Sequence, residues 1–295
     1  MMKKFIDLHV HTNYSDGFDS IEEVLKKAIE NNVGVISFTE HYNISSYKVA
    51  CELAGEDIEV IPGIEIGTDM SKYSDGKKHV CHILGYYVSN DICKLLDIYE
   101  LDRFNCVKST LKLLNQNNID ISINDVLENA KDSKSIGRFD IAVTMVKMGY
   151  VKTVQEAYGK YLDHGGSSYV KRKKLSPTDL IKKIQEYGGV AVLAHPRSLR
   201  FSPQKEEQFI KELVDAGLSG IEVYNPHNST KCRKRLLTYC KKYNLIPTVG
   251  SDYHGGKREP KVYVGYGIEN NLKITDLSII SKLKERKEKL DSNKK

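Results

Sequence analysis

The feature that most constrains this chain is an alternation of short apolar runs with amphipathic stretches of helical period. A helix between two strands returns the chain to the same edge of a sheet in the same direction, so this pattern predicts parallel β/α units. Phe5 to Leu8 reads as a first strand, Val33 to Phe38 as a second, and Ile58 to Ile66 as a third. His79 to Val88 reads as a fourth, with Gly85 its weak point. The alternation resumes at Val190 to Ala194, Gly220 to Val223 and Ile246 to Val249. Ser20 and Glu23 form a capping box that opens a helix, with Ile21, Val24, Leu25, Ala28 and Ile29 on one face.

The middle of the chain differs. From about Asp91 to Ser167 only helical periodicity is visible, interrupted at Asn115 to Asn118 and at Ser133 to Gly137. The expected organisation is a discontinuous β/α domain, residues 1–90 and 168–290, carrying a helical insertion or cap at 91–167. A chain of 295 residues, 40% hydrophobic and 28% charged, can bury a full core and has the balance of a soluble globular protein. The N-terminal residues turn polar too early for a signal peptide or a membrane span, so a cytoplasmic protein without a membrane partner is expected. Six scattered cysteines without a Cys-x-x-Cys pair point to reduced thiols. The net charge of +6 suits an anionic substrate, but much of it lies in surface helices and in the tail from Lys282 to Lys295. That tail reads as a solvated helix end rather than a nucleic-acid arm, so no double-stranded DNA partner is expected. The absence of a Walker-type glycine loop argues against a nucleotide-powered motor.

The candidate chemistry falls at strand ends. His9 and His11 follow the first strand, His41 the second, Glu65 ends the third, and His82 lies within the fourth. His195 closes Val-Leu-Ala-His-Pro, and Asp252 and His254 follow Pro-Thr-Val-Gly-Ser. A parallel barrel would gather these ends on one face, where such folds place their active sites. Residues two apart on an extended strand point to one side, so His9 and His11 can reach one ion, and Asp252 and His254 repeat the spacing. Imidazole with carboxylate suits zinc, manganese, iron or nickel better than magnesium alone, and one carboxylate such as Glu65 can bridge two ions.

The chain resembles the polymerase and histidinol phosphatase (PHP) family of metal-dependent phosphoesterases. The resemblance is carried by Asp7-Leu-His-Val-His11, Ser15-Asp-Gly17, Thr39-Glu-His41, Pro62-Gly-Ile-Glu65, His79-Val-Cys-His82, Ala194-His-Pro196 and Gly250-Ser-Asp-Tyr-His254. It implies an α/β fold, a distorted (β/α)7 TIM-like barrel with the helical insertion. It also implies two or three divalent ions, with manganese expected first and zinc, iron or magnesium as alternatives. His9, His11, Glu65 and Asp252 would hold one ion; Glu65, His82 and His195 a second; Asp16, His41 and His254 a third. Glu40 stands where the family has Asp before this histidine; a carboxylate there orients its histidine, and the extra methylene of Glu40 is expected to shift that contact. Asp140 stands where close relatives carry His.

Within the family the chain looks nearest to stand-alone enzymes acting on nucleoside 3′,5′-bisphosphates and short 5′-phosphorylated RNA, judged by the insertion, the Arg138-Phe-Asp-Ile-Ala segment and Tyr161 to Val170. The reaction implied is attack of metal-bound hydroxide on phosphorus, with Glu65 as the bridge and His195 or His254 protonating the leaving oxygen. Arg138, Arg197 and Arg200 are candidate phosphate clamps, because guanidinium matches phosphate geometry. His164 and His227 sit in loops and are candidates for touching substrate, whereas His79 reads as structural. Tyr253 stands out among the tyrosines because it lies between two ligand positions, and Lys171 to Lys174 reads as a solvated face. Two alternatives stay open: a histidinol-phosphate phosphatase, and a non-catalytic metal-binding regulator, which would have no need of nine ligands. Oligomeric state is not legible.

Overall fold

Eight strands form two sheets among the described residues of the computed structural model, which describes residues 4–130 and 136–293. β1 (Phe5–Val10), β2 (Val33–Phe38) and β3 (Glu59–Val60) run parallel in that order. β4 (Gly63–Gly67), β5 (His82–Tyr86), β6 (Val190–Leu193), β7 (Gly220–Tyr224) and β8 (Ile246–Val249) form the second sheet, also in sequence order. The apolar run from Ile58 to Ile66 is therefore two strands. Pro62 has no N–H for a ladder, and it parts β3 from β4.

β5 corrects the expectation of parallel units throughout, because it pairs antiparallel with both β4 and β6. A parallel return needs a long crossover, usually a helix. Between Gly67 and His82 the chain holds only a short turn of 3-10 helix at Ser71–Tyr73, so it folds straight back beside β4. Reversal puts the start of β5, not its end, beside the end of β4: His82 pairs with Gly67.

The two sheets share no continuous ladder, yet single hydrogen bonds join them. Glu65 N donates to Glu40 O (3.1 Å), Asp252 N to His9 O (2.8 Å) and His11 N to Tyr253 O (2.8 Å). Burial follows from the layering. Ile6 and Leu8 pack with Leu84, Tyr86, Val190 and Val192 in one core. In a second, the helix Ile21–Glu30 lays Ile21, Val24, Leu25 and Ala28 against Val33, Ile36 and Phe38. Each such side chain contributes about 1.5–3 kcal/mol. The capping box forms as read, with Glu23 N donating to Ser20 Oγ and Ser20 N to the Glu23 carboxylate. Ile29 departs from the expected face and is 51% exposed.

The chain divides into two compact units, one built from the residues up to Cys93 and from Leu175 onward, the other from Lys94–Lys174. The second is helical and has its own core of Val107, Leu111, Leu114, Ile141, Met145 and Leu162. Its first helix, Cys93–Gln116, stops at the Asn-rich break, where Asn118 adopts φ 62°. Of the second break, Ser133 to Ser135 lie outside the described residues. Gly137 caps the next helix, Arg138–Lys147, and its N–H donates to Asp140 Oδ2 (2.8 Å), so Asp140 serves as a helix cap. All six cysteines are free, and no helix among the described residues is long and apolar enough to cross a membrane.

Candidate metal centre

The strand ends bring the sequence-selected side chains of the first unit together around Glu65, which is 1% exposed at the centre of β4. Its Oε2 lies 3.3 Å from His9 Nε2, 3.2 Å from His11 Nε2 and 3.2 Å from His41 Nδ1. Its Oε1 lies 2.8 Å from His82 Nδ1 and 2.9 Å from His195 Nε2. Asp252 Oδ1 closes the inner group, 3.3 Å from His9 Nε2 and 3.4 Å from His11 Nε2. The outer group is built on Asp16, whose carboxylate lies 3.2 Å from His254 Nε2, 3.8 Å from His41 Nε2 and 3.9 Å from His11 Nδ1.

Three groups of side chains are close enough to share an ion: His9, His11, Glu65 and Asp252; His41, Glu65 and His82; His11, Asp16, His41 and His254. All nine expected ligand positions lie in this cluster. The grouping differs from the expected one: His11 joins the outer set as well as the inner one. His41 faces both Glu65 and Asp16, and His195 meets Glu65 Oε1 without belonging to a group of three.

Hydrogen bonds fix which ring nitrogen faces inward. Glu222 Oε1 accepts from His9 Nδ1 (2.9 Å), and the Asp252 carbonyl accepts from His254 Nδ1 (2.8 Å). Carboxylate and carbonyl oxygens cannot donate, so both rings carry a proton on Nδ1 and turn Nε2 toward the cluster, where it would ligate an ion through the neutral ring. Ser198 gives its hydroxyl proton to a carbonyl, that of Val80 (2.9 Å), and can then accept from His195 Nδ1 (3.0 Å). Ser15, which donates to Glu40, stands 3.4 Å from His11 Nδ1 in the same relation.

The result is a cluster of ring nitrogens and carboxylate oxygens facing one another. His9 Nε2 and His11 Nε2 are 3.1 Å apart, and buried His41 Nδ1 and His254 Nε2 make no hydrogen bond with any described residue. Ligand atoms about 2.1 Å from one ion sit about 3.0–3.4 Å apart at neighbouring tetrahedral or octahedral positions. The inner group has those separations. Charge agrees with geometry. Burial opposes a charged His9 ring, but Glu222, Glu65 and Asp252 outweigh it and hold the ring well above its ordinary value. Burial likewise opposes His11, which hydrogen bonds to Asp252 and Glu65 push up to about 9. Burial would raise Glu65, yet His82, His9 and His41 hold it well below the carboxylate range. Positive charge is favoured beside these carboxylates, and the three groups of side chains could hold divalent cations.

Glu222 escaped sequence reasoning. It sits inside β7, is wholly buried, and its Oε2 accepts from His195 N (2.7 Å), so one carboxylate braces two of the clustered histidines. A Cβ at position 250 would collide with both His9 and Glu222, which is why glycine follows β8 there. Asp7 is a second buried brace: it accepts from Ser251 N (2.8 Å) and Gly265 N (2.7 Å), and burial raises its carboxyl to about 6 against those bonds. Glu40 is turned away from the histidine that follows it, a shift its extra methylene allows. It does not orient His41; it accepts from Thr12 N (3.1 Å), Thr12 Oγ1 (2.5 Å) and Ser15, so it shapes the turn after His11. The Arg258 guanidinium, also unanticipated, donates to the Asp16 carboxylate (2.5 Å).

The remaining candidates are spread more widely. Arg197 donates to the His227 carbonyl (2.7 Å), and the exposed His227 ring lies 3.6 Å from Glu259. The Arg200 side chain is exposed and has no partner among the described residues. Arg138 lies in the helical unit, donating to the Leu162 carbonyl (3.1 Å) and standing 5.2 Å over the Tyr169 ring, which also neighbours His164. His79 is held by the Leu199 carbonyl (2.6 Å) and Asp75 (2.6 Å). Tyr253 donates to Asp19, which also accepts from Lys27.

Imidazoles and carboxylates gathered at one end of the strands of an α/β fold define a metal-dependent hydrolase. The profile of the PHP domain matches residues 7–171, and the chain belongs to that family, whose members hydrolyse phosphoester bonds. It is 27% identical over 264 residues to a phosphoribosyl 1,2-cyclic phosphate 1,2-diphosphodiesterase from Eggerthella lenta, covering 84% of this chain and 94% of that one. It is 26% identical over 256 residues to a 3',5'-nucleoside bisphosphate phosphatase from Chromobacterium violaceum, covering 84% and 87%. A solved structure from Bifidobacterium adolescentis, of a protein inferred to be a metal-dependent phosphoesterase, superposes with a TM-score of 0.71 at 25% identity, covering 97% of both chains. The chain is thus a metal-dependent phosphoesterase with the α/β fold of its family.

Proposed function

We propose that this phosphoesterase removes the 3′-phosphate of nucleoside 3′,5′-bisphosphates. The observation that carries the reading is the position of Glu65, whose two oxygens face two different sets of histidines, as a bridge between two ions requires. The likeness to the Chromobacterium phosphatase supports the nucleotide part. We read the two sheets, with β3 and β4 as one interrupted strand and single hydrogen bonds joining the edges, as a distorted seven-stranded barrel with its site at one end.

In this reading His9, His11, Glu65 and Asp252 would hold the inner ion, Glu65 and His82 with His41 or His195 the second, and Asp16 and His254 with His11 or His41 the outer one. Bound divalent ions, manganese foremost, would make water nucleophilic at neutral pH and offset charge on the phosphoryl oxygens. The chain does the rest. Glu222 and Ser198 hold His9 and His195 in register. Arg197, two residues beyond His195 and tethered to the His227 loop, presents a guanidinium to the phosphoryl group. His195 meets Glu65 and His254 faces Asp16, so whichever of the two rings holds no ion would protonate the leaving oxygen.

Phosphate release, measured with manganese on a panel of esters, tests the reading. A nucleoside 3′,5′-bisphosphate should be turned over best, ahead of a 5′-phosphorylated short RNA, a ribose cyclic phosphate and histidinol phosphate. Preference for histidinol phosphate or the cyclic phosphate would overturn it. With Arg138 as clamp for the 5′-phosphate, Arg138→Ala should cost about 1.5–3 kcal/mol, or about one to two orders of magnitude in kcat/KM, on the bisphosphate and little on a simple ester.

A further inference from the structure

The basic tail of the sequence has a use that the metal centre does not absorb. Its helix, Ser278–Ser292, carries Lys282, Arg286 and Lys289 at i, i+4 and i+7, so they form one stripe. The stripe lines a cavity of about 600 Å3 whose floor is Leu237, Leu245, Ile246 and Pro247. Ile246 and Pro247 begin β8, whereas Asp252 and His254 follow its far end, so the cavity and the metal centre belong to opposite ends of that strand.

The pairing of the cations separates this face from an ordinary solvated one. Off the stripe, Lys284 pairs with Glu59 (2.9 Å) and Lys287 with Asp291. On it, Lys282, Arg286 and Lys289 have no carboxylate partner among the described residues, nor has Lys241 across the cavity, although Glu285 is a neighbour. Capping the preceding helix accounts for only part of Arg286: one Nη2 donates to the Asn244 carbonyl (3.0 Å), leaving the other guanidinium donors unused. Partial burial lowers the Arg286 pKa, and no carboxylate among the described residues pairs with it.

We propose that this cavity is a second binding site, taking an organic phosphate whose flat apolar part lies on the Leu237, Leu245 and Ile246 floor while Lys282, Arg286 and Lys289 hold its phosphates. A nucleoside diphosphate has this build, and its negative charge meets the four lining cations Lys241, Lys282, Arg286 and Lys289, offset only by Glu285.

Photo-crosslinking of the metal-loaded enzyme with an azido-adenosine diphosphate, followed by peptide mapping, is the test. Label is expected in the segments that hold Leu237–Pro247 and Lys282–Lys289, displaced by unlabelled ADP but not by adenosine. The double variant Lys282→Glu with Lys289→Glu should lose this label at least about tenfold, since two charge-assisted contacts become repulsions. Its turnover of a simple phosphomonoester should be unchanged. Arg286→Lys, which keeps the charge but loses the fork, should lie between. Label confined to peptides bearing the clustered histidines, or label unchanged in the double variant, would overturn the proposal. So would displacement by orthophosphate or by a short RNA at lower concentration than ADP.

Discussion

The inner and outer halves of the metal centre are built from the same side chains to different standards. Around Glu65 three of the five histidines are backed by another group: His9 by Glu222, His195 by Ser198 and Glu222, His11 by Ser15 and Glu40. Around Asp16 the backing is thin. Its side chain is 41% exposed, and it shares its charge with the half-exposed Arg258. A buried carboxylate held among imidazoles has no alternative to a cation, whereas an exposed one has water and a neighbouring guanidinium. The difference teaches that ion affinity here should be graded from Glu65 outward.

The strongest way to break the comparison is at its centre. Glu65→Gln removes the charge shared by both inner sets and leaves the fold's shape nearly unchanged. It should abolish phosphoesterase activity and strip bound metal, as chelation of the native enzyme should. His254→Ala in the outer group should keep the inner metal and measurable turnover. Metal content by mass spectrometry decides the matter, and equal losses in the two variants would remove the grading.

A smaller effect is expected one step out. Glu222 touches no other group in the cluster except through His9 and the His195 backbone, so Glu222→Gln should leave the ligand set complete but loosen its aim. Loss of such a brace typically lowers metal affinity about 10–100-fold. A competition titration with a chelator should show that loss, and activity should return at high metal concentration. If added metal restores nothing, Glu222 acts in the chemistry and not in positioning.

Glu222 also shows where sequence reasoning stops. The ligand positions were legible because histidine beside carboxylate at a strand end is uncommon, and several such pairs coincide. A lone Glu inside Gly-Ile-Glu-Val-Tyr carries no such signature, and its only hint was a charge in an apolar strand. Strand direction was equally hidden. Alternation of faces is the same whichever way a strand runs, so the reversal of β5 had to be read from the missing helix between Gly67 and His82. The split at Pro62 could have been read, since proline marks the loss of a ladder bond. The family pattern sets a carboxylate beside His41, and the longer Glu40 side chain leaves that contact open to a shift whose direction the sequence does not give. Folding turned its carboxylate back to Thr12 and Ser15, a contact that local spacing does not encode.

The smallest effect is expected at the rim, where it sharpens the comparison most. Arg258 and an ion would compete for one Asp16 carboxylate, so Arg258→Ala should strengthen binding in the outer group. The gain is bounded by what the native pair is worth. Both side chains are about two-fifths exposed, and such pairs contribute about 1 kcal/mol or less, so affinity should rise about fivefold at most. Screening by salt should shrink the difference further, because the charges face solvent. A manganese titration at low and high ionic strength, followed by magnetic resonance of the free ion, separates the outcomes. A gain that fades with salt would confirm that guanidinium and cation share one place. Weaker binding in the variant would mean that Arg258 holds Asp16 in a ligating posture, and the outer group would then be as deliberately braced as the inner one.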